Sequence, residues 1–259
     1  MNLQEKKYFY FTQNSLNTFQ NCPFQFKKKY IDNVKWQQDD SLDAEEKIEF
    51  GNDFHETAQR YFNEIPVFEE GLKTNEKLYD AYCHLKNYFP LDSKNQYYPE
   101  YTIRYSDGLV RLEANFDLVI VKPDLSVEIW DWKTNSSPDK AKRYLESLQT
   151  KVYRYVLKKC MKDIFGFDTD FSKIKMSYFS PENECVIGEM VYSEEEYKKD
   201  EKDIVFLMEK IYNYDYDKFE REKYLKRCKL CEFQLFCSSQ PEKKEEKKHF
   251  SWDEIEEIR

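Results

Sequence analysis

Apolar positions follow a helical period at the start of the chain, a strand period in the middle, and a mixture of the two afterwards. Leu16, Phe19, Phe26 and Tyr30 form a short apolar face behind Ser15, a candidate N-cap. Pro23 is expected to bend or break that helix. Residues 36–46 are polar and acidic and read as a loop. Helical spacing returns over about 43–62, with Ile48, Gly51, His55, Ala58 and Phe62 on one face. It recurs over about 75–89, with Leu78, Tyr82, Leu85 and Phe89 as the stripe.

The period then shortens. Residues 100–105 read as a strand, Asp107–Gly108 as a hairpin turn, and 109–121 as a longer strand. A turn over 122–125 and a third strand over 126–133 complete an antiparallel meander. A basic helix is expected over 139–162, with Ser137 as N-cap and Pro138 at its first position. Two strands, 174–179 and 186–192, flank a turn at 181–184. Ser193 and Glu196 then form a capping box for a helix over 194–213. Strands mixed with helices in this order predict an α/β fold.

A length of 259 residues suits one domain with insertions or a small appendage, and 40% hydrophobic residues supply a core. Five glycines and eight prolines argue against a repeat or a long flexible linker. No apolar run is long enough to cross a bilayer, and Met1 to Tyr10 carry no signal core. A cytoplasmic protein without a membrane partner is expected. Seven unevenly spaced cysteines argue against a disulfide framework. The net charge of −9 does not favour a polyanionic partner, but binding depends on local patches. Between Lys140 and Lys162 eight basic residues face one acid, Glu146. They read either as phosphate contacts or as a solvated helix face.

The second hairpin turn centres near Asp124. Asp117 lies seven residues before that centre and Asp131 seven after, so their Cβ atoms are expected about 5 Å apart. Side-chain alternation puts Lys133 on the face of Asp131. Facing carboxylates repel, and a divalent cation removes the repulsion; hard oxygen ligands suit Mg²⁺ or Mn²⁺. Asp-x-Lys alone is common in salt-bridged surface hairpins. The apolar setting Val127-Glu128-Ile129-Trp130-Asp131-Trp132-Lys133 argues for partial burial instead.

With Phe116-Asp117 and Ile129-Trp130-Asp131-Trp132-Lys133-Thr134, the chain resembles the PD-(D/E)XK nuclease superfamily. It is most similar there to the RecB/AddB-like branch, which includes the four-cysteine exonucleases of CRISPR adaptation. Gly51-x-x-x-His55 resembles that branch's upstream histidine motif, and Gln149-x-x-x-Tyr153 its downstream helix motif. Asn21-Cys22-Pro23 with Phe26, and Cys228-x-x-Cys231 with Cys237, resemble its cysteine clasp. The resemblance spans about residues 10–240; it departs in the local sequence Ala114-Asn115-Phe116-Asp117, where the family often has a Gly or small residue just before the first acid.

The resemblance implies a restriction-endonuclease-like core: a central mixed sheet flanked by helices, with a four-cysteine cluster joining the two ends. It implies one nuclease domain over 1–240, with its core at about 43–192 and a clasp from 15–30 and 217–240. Residues 241–259 are expected to be a partly disordered tail with a small amphipathic end at Phe250, Trp252, Ile255 and Ile258. Asp117, Asp131 and the backbone carbonyl of Trp132 would hold the metal, with His55 as a ligand or proton-transfer partner; on spacing alone His55 could be a core histidine. Lys133 would offset charge on the phosphate. Gln149 would steady the active-site loop or the phosphate and Tyr153 contact the DNA strand, unless the pair is a polar edge of a packing stripe. Glu100 is either an outer metal ligand or a solvent-facing strand residue. Cys22, Cys228, Cys231 and Cys237 would bind a [4Fe–4S] cluster, with zinc as the rival, since spacing does not separate the two.

The expected function is metal-dependent hydrolysis of DNA, with single-stranded ends as substrate, in repair, recombination or defence. A spacer-acquisition nuclease acting with CRISPR-adaptation partners is one alternative. A non-catalytic DNA-binding scaffold with a structural metal cluster is another.

Overall fold

The computed structural model describes residues 9–35, 42–134, 136–224, 228, 231–233 and 237. The tail 241–259 and residues 36–41 of the expected loop lie outside the described residues. Five strands form one sheet in the order β1-β2-β3-β4-β5: Gln96–Asp107, Val110–Val121, Val127–Trp132, Ile174–Ser180 and Cys185–Val191. β3 and β4 run parallel, and the other neighbours antiparallel, so the sheet is mixed as expected. A parallel pair needs a crossover, and the helices between β3 and β4 supply it.

The eight helices are α1 (Gln13–Asn21), α2 (Pro23–Phe26), α3 (Leu42–Phe62), α4 (Glu69–Leu72), α5 (Glu76–Tyr88), α6 (Ala141–Leu145), α7 (Leu148–Phe165) and α8 (Glu194–Asn213) among the described residues. The sheet separates two cores. On one side Leu16, Phe26, Val152, Val156, Ile204 and Met208 pack against Val119, Val127 and Ile129. On the other, Phe50, Phe54, Leu85 and Phe89 pack against Leu118, Trp130 and Trp132. Alternation along β3 therefore feeds both cores, as a covered central strand requires. No helix among the described residues is long and apolar enough to cross a membrane.

Several local expectations are corrected. The cap of α1 is Thr12, whose side chain accepts from the Ser15 N–H, while Ser15 itself is buried. Pro23 breaks the first helix, one of the two outcomes expected of it, and starts α2. The buried stripe of α3 is Phe50, Phe54, Ala58 and Phe62; Ile48 is 54% exposed. The two phenylalanines remove more apolar surface from water than Ile48 and Gly51 would, so the helix turns toward them and leaves His55 at the boundary. The basic helix is two helices, because Ser147 caps α7 by accepting from the Thr150 N–H. Ser137 stands at the N-cap of a 3-10 turn, Pro138–Lys140, rather than of the long helix, and its hydroxyl makes no capping bond but donates to Asp139. The capping box of Ser193 and Glu196 forms on α8 as read.

Candidate active site

The β2–β3 ladder pairs Leu118 with Trp130, Val119 with Ile129 and Val121 with Val127, so its register centres on Asp124. That register carries Asp117 to the position opposite Asp131. The two strands are also joined there by the Trp132 N–H, which donates to Asp117 Oδ2 at 2.7 Å. Asp131 shares the face of Val127 and Ile129 and is only 2% exposed.

Asp117 lies where the first hairpin changes face. Phe116 and Val119 both enter the same core, although strict alternation would put them on opposite sides. Pairing of β1 with β2 runs Pro99↔Leu118 and then Tyr101↔Phe116, so Glu100 stands opposite Asp117 with the ladder interrupted. Glu100 has φ +48°, a left-handed conformation that costs a non-glycine residue on the order of 1–3 kcal/mol. This kink turns both carboxylates away from the cores and toward α3. There His55 Nδ1 meets Glu100 Oε1 at 2.8 Å and Asp117 Oδ1 at 3.7 Å. Glu100 thus faces the site rather than open solvent alone. Among the described residues, His55, Glu100 and Asp117 form a group whose metal-ligating atoms lie within 4.8 Å of one another.

Asp131 is held from the other side. Gln149, in the first turn of α7, donates through Nε2 to Asp131 Oδ1, and the Lys133 ammonium closes on Oδ2 as an ion pair. Lys133 Nζ also donates to Gln149 Oε1 at 3.1 Å. Asp131 Oδ2 is buried and accepts no hydrogen bond of good geometry. Its partner is the Lys133 ammonium, and two carboxylates brought close in this way are hard oxygen donors of the kind that suit a divalent cation. Tyr153 is 6% exposed, and its ring packs on Phe116 with centroids 4.9 Å apart.

Electrostatics follow from burial and from this crowding. Burial first, and then the charge of Asp131, hold the Asp117 carboxyl well above the usual carboxylate range. His55 and the Trp132 N–H oppose the shift. Burial alone would lower the pKa of His55, but the Glu100 hydrogen bond and the charges of Asp117, Glu100 and Asp131 outweigh it and raise it. Lys133 behaves alike: burial acts downward, and Asp131 and Asp117 carry the net shift upward. Tyr153 is raised by burial and by both aspartates, so its phenol stays protonated.

The basic helix is not an open phosphate track. Lys151 pairs with Asp203, Arg154 with Asp200 at 2.9 Å, Lys158 with Asp168 and Lys159 with Glu201 at 2.8 Å. Half of the expected phosphate contacts are therefore committed inside the fold, because α8 and the loop after α7 present acids to them. Lys142 and Arg143 of α6 remain exposed.

Cys22, Cys228, Cys231 and Cys237 are free thiols, none fully buried. Burial raises the Cys22 thiol, and Cys228 and Cys237 raise it further. Cys231 is raised by burial and also feels Cys22 and Cys228. The segments that carry them are tied by Gln25 Nε2 donating to Glu232 Oε2 at 2.8 Å and by the Phe24–Phe219 ring contact at 5.4 Å.

A family model described as the PD-(D/E)XK nuclease superfamily matches residues 10–91 and 87–238. Two crystal structures are similar. One is of SSO0001, at 14% identity and TM-score 0.46, covering 91% of this chain and 89% of that one. The other, a "putative exonuclease" from Eubacterium rectale, has 11% identity and TM-score 0.49 and covers 82% and 84%. Among curated proteins no sequence matches.

Proposed function

This chain belongs to the PD-(D/E)XK nuclease superfamily, and from that premise we propose that it is a Mg²⁺- or Mn²⁺-dependent deoxyribonuclease of the RecB-like branch, acting on single-stranded DNA ends. The observation that carries this reading is the Asp117 carboxylate, tied to β3 by the Trp132 N–H and crowded by the charge of Asp131, beside the buried Asp131–Lys133 ion pair and grouped with His55 and Glu100. Asp117, Asp131 and the Trp132 carbonyl would hold the cation, with His55 as a further ligand or proton-transfer partner and Glu100 beside it. The bound cation supplies a water of lowered pKa and polarises the phosphate. Asp117 and Asp131 would direct their charge to the cation, and Lys133 would offset the negative charge that develops on the phosphate. Gln149 fixes the orientation of Asp131 and Lys133 through its two hydrogen bonds. Tyr153 supports the wall beneath them and keeps a proton near both carboxylates. The exposed Lys142 and Arg143 meet the DNA backbone.

The test is cleavage of labelled single- and double-stranded DNA by anaerobically purified protein with Mg²⁺, with Mn²⁺ or with EDTA. Cleavage that depends on the metal and favours single-stranded ends is the expected result. A folded protein that binds DNA but leaves it intact in both metals would make the chain a scaffold.

The proposal extends to the clasp. Residues 1–240 act as one nuclease domain, with Cys22, Cys228, Cys231 and Cys237 around a structural [4Fe–4S] cluster. Cys228 and Cys237 act on the raised Cys22 thiol, and Cys22 and Cys228 on the raised Cys231 thiol; a cationic metal centre would take such a set as thiolates. The protein purified without oxygen is expected to contain iron and acid-labile sulfide in equal amounts. Cys22→Ser should lose both, together with the visible absorbance. Stoichiometric zinc without sulfide would replace the cluster with a zinc site.

A further inference from the structure

Lys133 has partners that its motif does not specify. Its Nζ lies 5.5 Å from the ring centroid of Tyr144 on α6 and 5.4 Å from that of Tyr178 on β4. The two rings stack on each other at 5.2 Å with a 30° interplanar angle. The ammonium is therefore almost equidistant from two π systems, with Asp131 and Gln149 on its other side.

Both rings are locked. The Tyr144 hydroxyl bonds Ser136 Oγ at 2.7 Å. The Tyr178 hydroxyl bonds Thr150 Oγ1 at 2.6 Å, and Thr150 Oγ1 in turn donates to the Tyr144 carbonyl at 2.7 Å. Thr150 has one hydroxyl hydrogen and spends it on that carbonyl, so Tyr178 is the donor to Thr150. One chain of hydrogen bonds thus joins β4, the first turn of α7 and the end of α6. Tyr178 and Thr150 are fully buried.

We propose that Tyr144 and Tyr178 are positioning residues for Lys133, whose ammonium they hold at the carboxylate pair through their ring faces. The inference rests on the nuclease reading for its kinetic part only. Asp131 has two tasks in that reading, as metal ligand and as ion-pair partner of Lys133. Whatever draws on the Asp131 charge weakens its hold on the lysine. The aromatic faces carry no net charge, are not metal ligands for a hard cation, and keep their attraction for the ammonium. The flexible four-carbon stem of lysine makes such a restraint useful.

The ring, not the hydroxyl, is the active part, so Tyr144→Phe and Tyr144→Leu separate the proposal from mere packing. Tyr144 is only partly buried, which makes its replacement the safer one for folding. Tyr178→Phe is the companion on the buried side. With single-stranded DNA and Mn²⁺, Tyr144→Leu is expected to lower kcat about 3- to 30-fold, the range of one partly desolvated cation–π contact, with KM nearly unchanged. Tyr144→Phe and Tyr178→Phe should stay close to wild type. Independently of activity, reductive ¹³C-methylation of the metal-free protein reads the lysine directly. Its Lys133 methyl signals, identified by their absence in Lys133→Arg, should be shifted upfield by the rings. They should move toward the free-lysine position in Tyr144→Leu and remain in Tyr144→Phe. Equal kcat and equal methyl shifts in the leucine and phenylalanine variants would overturn the proposal. A wild type that cleaves nothing in either metal would instead defeat the nuclease reading, and the methyl shifts would still decide whether the rings hold the lysine.

Discussion

Asp131→Ala is expected to lower metal-dependent DNA cleavage by about a thousandfold or more while the protein stays folded. A ligand that helps hold a catalytic cation supports several kcal/mol of charge stabilisation, and each ~1.4 kcal/mol is a factor of ten in rate. Asp131 has a second role that enlarges the effect. Its Oδ1 receives Gln149 and its Oδ2 faces the Lys133 ammonium, so alanine leaves a buried donor and a cation without their acceptor. Asp131→Asn separates the two contributions, because it keeps the shape and removes only the charge. Single-turnover cleavage in Mn²⁺, with DNA affinity measured in parallel, checks both variants. Unchanged affinity with lost cleavage places the defect in chemistry. Cleavage by Asp131→Asn within tenfold of wild type would remove this carboxylate from the metal site.

The carboxylate pair was legible because a hairpin is its own ruler. Once the turn at Asp124 is fixed, Asp117 and Asp131 are mirror positions, and the observed register keeps that centre. The same ruler finds Glu100. The first hairpin turns at Gly108–Leu109, between the paired Asp107 and Val110, and its pairs place position 100 opposite 117. Reading Glu100 as either an outer metal ligand or a solvent-facing strand residue left this mirror relation unused; the residue is exposed and also meets His55. The change of face at the kink was less accessible. It depends on a left-handed Glu100, and a glutamate gives no local sign of that conformation. Helical periodicity placed α3 well and its face poorly, since Gly51–His55 and Phe50–Phe54 differ by one position and both recur every fourth residue. Bulk of buried surface decides between such stripes. The basic stretch misled for a different reason: sequence shows the charges of α7 but not the acids of α8 that packing brings opposite them. Of the cysteines, spacing suggests a four-ligand set and leaves the metal open.

One of those concealed pairs is expected to matter most for stability. Arg154 on α7 is 3% exposed and Asp200 on α8 is 2% exposed. Arg154 Nη2 donates to Asp200 Oδ2 at 2.9 Å, and the Tyr192 hydroxyl donates to the same oxygen at 3.1 Å. The guanidinium also lies 4.4 Å from the Tyr192 ring centroid. Asp200→Ala removes the anion and strands the arginine in the interior, which typically costs about 3–5 kcal/mol. Equilibrium denaturation should show that loss as a lower midpoint with an unchanged slope. The pair itself is not what the fold requires. Replacing both partners by apolar residues, Arg154→Met with Asp200→Leu, removes the desolvation of two charges along with their attraction, so most of the stability should return. A single-variant loss below about 1 kcal/mol would mean that Arg154 finds another partner, and Glu196, at 3.3 Å from Nη1, is the group placed to serve. The double variant carries a functional reading as well. α7 presents Gln149 to Asp131 from its first turn, so a stable double variant that cleaves DNA normally would show that the ion pair secures the helix, while the register of α7 against the sheet is set by apolar packing of Val152 and Val156.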